Sequence, residues 1–236
     1  MSCADYVEYA PTPQLRDLIA CGWTLTCHDS LPDHRVLPDG CIDIILAGGC
    51  EPFVAGPSTS AFDSPMSAGG FAAGIRFRPG AAPSVLGVTA DELRDRTVPL
   101  ADIWSSALGG EPVNARAALA LLHRELLARL PTARAPDRAV LAAAAILAAD
   151  PCASVGSIAT TTGLGERQLR RRFLDHVGYG PKRLGRVLRL QRLLAGPPEP
   201  WAQRAIAAGY ADQAHMTREC VALTGRPPTR LATSAA

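Results

Sequence analysis

The sequence predicts an α+β region, a small antiparallel β-sheet or barrel with helices, followed by an all-α region with two helix-turn-helix units. Three observations predict this arrangement. Short apolar stretches between glycines and prolines fill the first hundred residues, amphipathic helical patterns fill the last hundred, and one helical pattern occurs twice in the last third. The length of 236 residues suits one large or two modest domains. The change of pattern along the chain favours two, with a first domain at 1–130, a linker at 131–136 and a second domain at 137–236.

Four stretches of the first region are predicted strands: residues 21–27, 35–46, 53–56 and 71–78. Alternation within the second stretch puts Ile42, Ile44 and Leu46 on one face of the sheet and Asp43 on the other. The apolar face predicts a packed core on that side of the sheet.

The opposite face carries polar groups. Arg76 and Arg78 alternate with Ile75 and Phe77, so the last strand has one apolar and one cationic face. We expect a pocket for a small polar ligand here, and roles in turns and ion pairs are the alternative. The candidate ligand-binding residues are Asp39, Cys41, Asp43 and Arg76.

Helical patterns begin after the sheet. Thr89 and Glu92 have the spacing of a capping box, which predicts a short helix starting near Ala90. Residues 111–130 carry four leucines at helical spacing. This longer helix either connects the two regions or forms a dimer contact, or it packs on its own sheet. Residues 131–136 (PTARAP) then break the pattern.

The first helix-turn-helix unit follows a helix that opens at Asp137 and closes before Pro151. Ser154 is the expected N-cap of a short helix, Gly163 the expected left-handed turn residue, and Gly165 the N-cap of a recognition helix over 166–176. Leu169, Phe173 and Val177 share the predicted buried side of that helix. The predicted DNA contacts are Arg167, Gln168, Arg170 and Arg171, with Arg172 at the flank facing a phosphate.

A longer helix beginning at Pro181 is the predicted rod between the two units. Its expected inner stripe is Leu184, Val187, Leu188, Gln191 and Leu194. Its expected outer side carries Lys182, Arg186 and Arg189. Two recognition helices enter successive major grooves on one DNA face only if they lie about 34 Å apart, so a rigid rod is what this function requires.

The second unit repeats the first at an offset of 46 residues before the turn and 47 after it. Its short helix over 200–208 is predicted to bury Trp201, Ala205 and Ile206, and Gly209 forms the turn. Asp212 is the expected N-cap of the second recognition helix, whose buried residues are Met216, Cys220 and Leu223. Its predicted DNA-facing residues are Gln213, Ala214, Thr217 and Arg218.

Charge is distributed unevenly. Residues 151–236 hold 13 Lys+Arg and 5 Asp+Glu, a formal charge of +8, whereas residues 1–150 hold 11 and 17, a formal charge of −6. This uneven charge indicates an anionic partner for the C-terminal part of the chain, and a solvated basic face is the alternative explanation. However, four arginines in the six residues from 167 to 172 repel one another, which favours a polyanionic partner.

Residues 137–231 resemble the DNA-binding region of the AraC/XylS family of bacterial transcription regulators. The motifs that carry the resemblance are SIATTTGLGERQLRRRF (157–173), GYADQAHMTRE (209–219) and LTGRPP (223–228). The resemblance implies base contacts from the first recognition helix at Arg167, Arg170 and Arg171, and from the second at Gln213, Ala214, Thr217 and Arg218. Cys220 departs from the family, which usually has Phe there. The motifs VLPDGCID (36–43) and GIRFRPGA (74–81) resemble a sensor-like domain found ahead of this region in part of the family.

No phosphate-binding loop, nucleophile elbow or metalloprotease motif is present in the sequence, so an enzyme is not expected. Six Cys and His residues lie within thirty positions of the first region. They indicate an alternative function, a sensor of thiol chemistry, alkylation or metal ions with a DNA-binding tail. Their irregular spacing favours buried cysteines and no metal site. We expect a cytoplasmic protein without membrane segment or cofactor. The expected partners are double-stranded DNA, a small-molecule effector, RNA polymerase and a second copy of the chain.

Overall fold

The computed structural model describes residues 3–32, 34–104, 108 and 110–231, so the last five residues of the predicted second domain lie outside it. The first part contains eight strands: β1 (Ala4–Tyr9), β2 (Ile19–Cys27), β3 (Arg35–Val36), β4 (Ile42–Ala47), β5 (Phe53–Ala55), β6 (Phe62–Asp63), β7 (Phe71–Phe77) and β8 (Thr97–Pro99). Six of them form an antiparallel sheet in the order β1-β2-β7-β4-β5-β8, and β3 pairs with β6. The strands described here close no barrel, so an open sheet is the correct alternative.

The single strand predicted over 35–46 is wrong, because the chain turns between β3 and β4. Pro38 has no N–H to donate to a ladder. Gly40 has a φ of +85°, a conformation that ends an extended strand. The alternation predicted for β4 is confirmed, since Ile42, Ile44 and Leu46 lie in the main core of the sheet.

Four helices accompany the sheet: α1 (Pro83–Leu86), α2 (Ala90–Leu93), α3 (Leu100–Ile103) and α4 (Ala115–Arg129). The α4 helix crosses β2, β4 and β7, and its Leu119, Leu122 and Leu126 are buried in the same core as Ile44. It therefore packs on its own sheet, one of the three predicted alternatives. Behind it, the backbone N–H of Arg134 donates to Ser84 O at 2.9 Å, which ties the predicted linker to the first region.

A short 3-10 helix (Leu130–Thr132) follows α4, and the described residues after it contain seven α-helices: α5 (Arg138–Ala149), α6 (Val155–Thr161), α7 (Glu166–Val177), α8 (Pro181–Ala195), α9 (Trp201–Ala207), α10 (Gln213–Thr224) and α11 (Pro228–Leu231). They share one hydrophobic core. The predicted N-caps are confirmed, because the side chains of Asp137, Ser154 and Asp212 accept hydrogen bonds from the first turns of α5, α6 and α10. Gly163 and Gly209 have φ of +68° and +91° at the two turns.

Two predicted burial patterns need correction. In α8, Leu188 and Leu194 are half-buried against the core, and Leu190 and Leu193, which the prediction left out, are fully buried, because α8 packs against α5, α9 and α10 at once. In α9, Ile206 is 61 % exposed, although the sequence pattern predicted it inside. A seven-residue helix presents one narrow stripe to the core, and Ala205 occupies it.

Candidate nucleic-acid interface

The first helix-turn-helix unit, α6 with α7, separates an apolar back from a basic front. Leu169, Phe173 and Val177 are buried and hold α7 on its neighbours. The predicted contact residues lie on the exposed side: Arg167, Gln168, Arg170 and Arg171. This geometry lets the N-terminal half of α7 approach DNA while its back remains packed.

The arginines of α7 differ in their partners. Arg170 pairs with Glu166 one turn earlier at 3.0 Å, and Arg172 pairs with Asp137 of α5 at 3.0 Å. Within the described residues, no carboxylate lies within ion-pair distance of Arg167 or Arg171. These two guanidinium groups are the most available to an external anion.

The second unit, α9 with α10, has the same arrangement with less charge. Asp212 accepts the backbone N–H of His215 at 2.6 Å, which sets the start of α10. Gln213, Ala214 and Arg218 are exposed. Thr217 is half-buried, and its hydroxyl donates to Gln213 O at 2.9 Å. Its methyl group and hydroxyl lone pairs remain for other contacts.

The predicted outer stripe of α8 is wrong for two of its three members. Lys182 is exposed, but Arg186 and Arg189 pair with Glu219 of α10 at 2.9 and 2.8 Å. Their cationic ends therefore join α8 to the second recognition helix. Sequence analysis missed Glu219, because its partners lie about thirty residues away.

Both recognition helices end against the N-terminal region. The guanidinium of Arg94 donates to the carbonyl oxygen of Gly178, the C-cap of α7, at 2.9 Å. The guanidinium of Arg35 donates to Thr224 O at the end of α10 at 2.9 Å, and the Ala61 N–H donates to Leu223 O at 2.8 Å. Carbonyls at a helix C-terminus carry partial negative charge, so arginine is a favourable donor there.

The turn formed by residues 38–41 contacts α8 and the residues just before it. The Gln191 side chain of α8 donates to Pro38 O at 2.7 Å. A Cβ on Gly40 would lie 2.7 Å from Leu184 Cδ1 and 3.5 Å from the Tyr179 hydroxyl. Tyr179 is 4 % exposed, and no described residue accepts or donates a hydrogen bond at its hydroxyl.

The predicted ligand-binding residues do come together at this turn. Arg76 contacts Asp39 at 3.2 Å and Asp43 at 3.1 Å. Trp23 donates its indole N–H to Asp43 at 2.9 Å, and Glu8 lies 3.7 Å from Arg76. Burial raises the pKa of Asp43 to about 6, although the positive charge of Arg76 acts to lower it. Sequence analysis missed Trp23 and Glu8, which reach the cluster through strand pairing.

Three cysteines of this region, Cys21, Cys27 and Cys41, do not have the environment of reactive thiols, whereas Cys3 and Cys50 are exposed. Burial raises the pKa of Cys21 to about 11 and raises the pKa of Cys41 and Cys27 as well, which disfavours the nucleophilic thiolate. Three or more His, Cys, Asp or Glu side chains in a metal-binding arrangement were not found among the described residues.

Comparisons with known proteins divide the chain in the same way. Residues 158–234 match the family model described as a helix-turn-helix domain, and residues 7–99 match a domain of unknown function (DUF6597). Curated proteins give no match. In the part of the chain that the structure describes, no helix is long and apolar enough to cross a bilayer.

Three solved structures are similar at low identity. One is a probable AraC family transcriptional regulator from Rhodopseudomonas palustris, with 20 % identity and a TM-score of 0.37 over 42 % of this chain and 98 % of that one. Another is an apo variant of ToxT from Vibrio cholerae, with 10 % identity and a TM-score of 0.45 over 100 % and 99 %. ToxT from the same organism in another crystal form has 9 % identity and a TM-score of 0.44 over 98 % of each chain.

The matched model and the two paired units agree that residues 158–234 form a helix-turn-helix domain, a fold whose second helix enters the major groove of duplex DNA. This domain contains the motifs on which the resemblance to the AraC/XylS family rests.

Proposed function

We propose that the chain binds two successive major-groove segments on one face of duplex DNA, with α7 in one and α10 in the other. The observation that carries this proposal is the repeated geometry: each recognition helix follows a glycine turn and has a buried back and an exposed stripe containing arginine. The proposed base contacts are Arg167, Gln168, Arg170, Arg171, Gln213, Ala214, Thr217 and Arg218.

Three further cations belong to the same surface with different roles. Lys182 is exposed and suits a phosphate. Arg172 and Arg186 already pair with Asp137 and Glu219. A guanidinium has five donors, so each is able to contact a phosphate while it keeps its carboxylate. We assign these three residues to orientation on the DNA rather than to base selection.

Selection of bound sites from random duplex DNA with the full chain tests the proposal. The expected result is a two-part motif whose halves lie about one helical turn apart. Affinity for the selected site should fall steeply with salt, because phosphate contacts release counterions. Failure to enrich any sequence, or enrichment of a single short motif, would contradict two-groove binding.

We further propose that residues 1–130 control DNA binding, with residues 131–136 as a linker and 137–236 as the DNA-binding domain. The support is the hydrogen bond from an N-terminal arginine to the last carbonyls of each recognition helix, Arg94 to Gly178 and Arg35 to Thr224. These bonds fix both helix ends to one body. A signal that moves Arg94 relative to Arg35 within this body therefore changes the separation of the helices.

The spacing between half-sites tests this control. Insertion of two base pairs between the halves of the selected operator should weaken the wild-type chain sharply. Arg94→Ala should tolerate the insertion better, because one helix end is released. Arg96→Ala is the matched control, since the Arg96 guanidinium donates to Glu92 O within its own region. Equal sensitivity of all three proteins to the insertion would refute the control proposed here.

The effector site that we propose is the cluster of Arg76 with Asp39, Cys41 and Asp43. Its support is its position: the turn over residues 38–41 contacts the cluster on one side and α8 on the other. A thermal-shift screen of small polar compounds on the wild type and on Arg76→Ala tests it. A compound should raise the melting temperature of the wild type only and should change its operator affinity. Equal shifts in both proteins would place the compound elsewhere.

A further inference from the structure

The exposed stripe of α7 continues beyond its arginines. Residues at i, i+3, i+4 and i+7 lie on one side of a helix, and a recognition helix lying along the major groove uses this spacing to reach bases. In α7 the four positions are Arg167, Arg170, Arg171 and Leu174. The fourth position lies about 10 Å further along the helix axis than the first. Because it is a leucine, the exposed stripe ends in an aliphatic side chain.

The second recognition helix has the same feature at the same place. Its four positions are Ala214, Thr217, Arg218 and Val221, and Val221 follows Leu174 by the 47-residue offset that relates the two helices. Leu174 is 39 % exposed and Val221 is 44 % exposed. Two of the eight exposed large hydrophobic residues in the described part of the chain thus occupy one repeated position on the two DNA-facing stripes.

Chemistry limits what such a side chain recognises in the major groove. Base edges there present hydrogen-bond donors and acceptors, which an aliphatic group cannot satisfy, and one apolar group, the C5-methyl of thymine. Contact between an exposed aliphatic side chain and this methyl removes both from water. A cytosine or guanine at the same position would instead bring a polar edge against an apolar side chain.

We propose that Leu174 and Val221 are specificity-determining residues that contact thymine methyl groups, one in each half of the operator. The inference rests on the proposed entry of α7 and α10 into the major groove. Each half-site then carries a thymine opposite the C-terminal half of its recognition helix, beyond the bases that the arginines of that helix contact.

Replacing thymine by deoxyuridine tests the proposal, because this change removes only the methyl group. Each thymine of the selected operator is replaced singly, and the dissociation constant is measured for the full-length wild type, Leu174→Ala and Val221→Ala. One replacement per half-site should weaken the wild type about three- to fivefold. The replacement in the first half should have no effect on Leu174→Ala, and that in the second half no effect on Val221→Ala.

Leu127→Ala is the control, because Leu127 is 37 % exposed on α4, away from both recognition helices. It should respond to every replacement as the wild type does. The proposal is overturned if the wild type is indifferent to all replacements. It is also overturned if the alanine variants respond to the deoxyuridine replacements as the wild type does. This outcome includes the case in which the two side chains contact a protein partner and the variants bind DNA normally. If the wild type selects no operator at all, the proposed function fails instead.

Discussion

Gly178→Ala is the sharpest perturbation of the contact between the two regions. Gly178 caps α7 at a φ of +87°, and a Cβ there would lie 2.6 Å from Pro57 Cγ and 2.9 Å from the Ala90 carbonyl oxygen. The left-handed conformation alone costs alanine about 1 kcal/mol. Because the carbonyl belongs to the backbone, the new methyl group must displace it, which adds about 1–3 kcal/mol.

Gly163→Ala separates these two contributions. Gly163 also ends a helix, at a φ of +68°, but a Cβ there meets no atom within 4 Å. We expect Gly163→Ala to lose about 1 kcal/mol of unfolding free energy and Gly178→Ala to lose about 2–4 kcal/mol. Urea unfolding followed by tryptophan fluorescence and circular dichroism measures both. Equal losses would refute the close packing of residues 57 and 90 on the end of α7.

Three further predictions concern single side chains. Arg171→Ala should weaken binding to the selected operator by about 1–3 kcal/mol and relax selectivity at one base. Arg172→Ala should instead weaken binding to the operator and to random DNA alike and make affinity less dependent on salt. Equal losses of affinity for both DNAs with Arg171→Ala would identify a phosphate contact instead. Glu219→Gln should lower the unfolding free energy by about 1–3 kcal/mol because it weakens the bonds from α8, and an unchanged urea midpoint would contradict this. The pKa of Asp43 is about 6 in the folded chain against 3.8 ordinarily. Between these values the folded state binds a proton that the unfolded state does not, so this group lowers stability as pH rises through that window. Asp43→Asn should remove that decline, which pH-dependent urea unfolding measures, and identical pH profiles of the two proteins would contradict the shift.

The helical region was predictable from sequence because its signals are local. N-caps, turn glycines and the buried stripe of α7 are each specified within a few residues, and the structure has them as predicted. Ile206 shows the limit of such patterns, because a short helix buries only the residues that its neighbours reach. The pairing of Glu219 with α8 was hidden for a different reason: charge alone does not indicate which distant partner a carboxylate meets.

The sheet was less predictable. The β1 strand carries two acidic residues, Asp5 and Glu8, and is largely exposed, so its sequence resembles a loop. It becomes a strand only because its backbone pairs with β2 over six positions. The contacts between the two regions were also missed, since they join arginine side chains to backbone carbonyls. Every residue carries such a carbonyl, so the sequence gives no sign of which ones are used.

The unequal charge of the two recognition helices indicates where control is most effective. The α7 helix offers Arg167 and Arg171 without carboxylate partners, whereas the stripe of α10 has one arginine, Arg218. A weakly charged module contributes to affinity mainly when a rigid connection presents it at high effective concentration. Glu219 and the bond from Arg35 to Thr224 provide that rigidity for α10. On the proposed function, loosening the Arg35 bond should remove the contribution of the second half-site while α7 still binds the first. We therefore expect a modest shift of the N-terminal region to change operator selection.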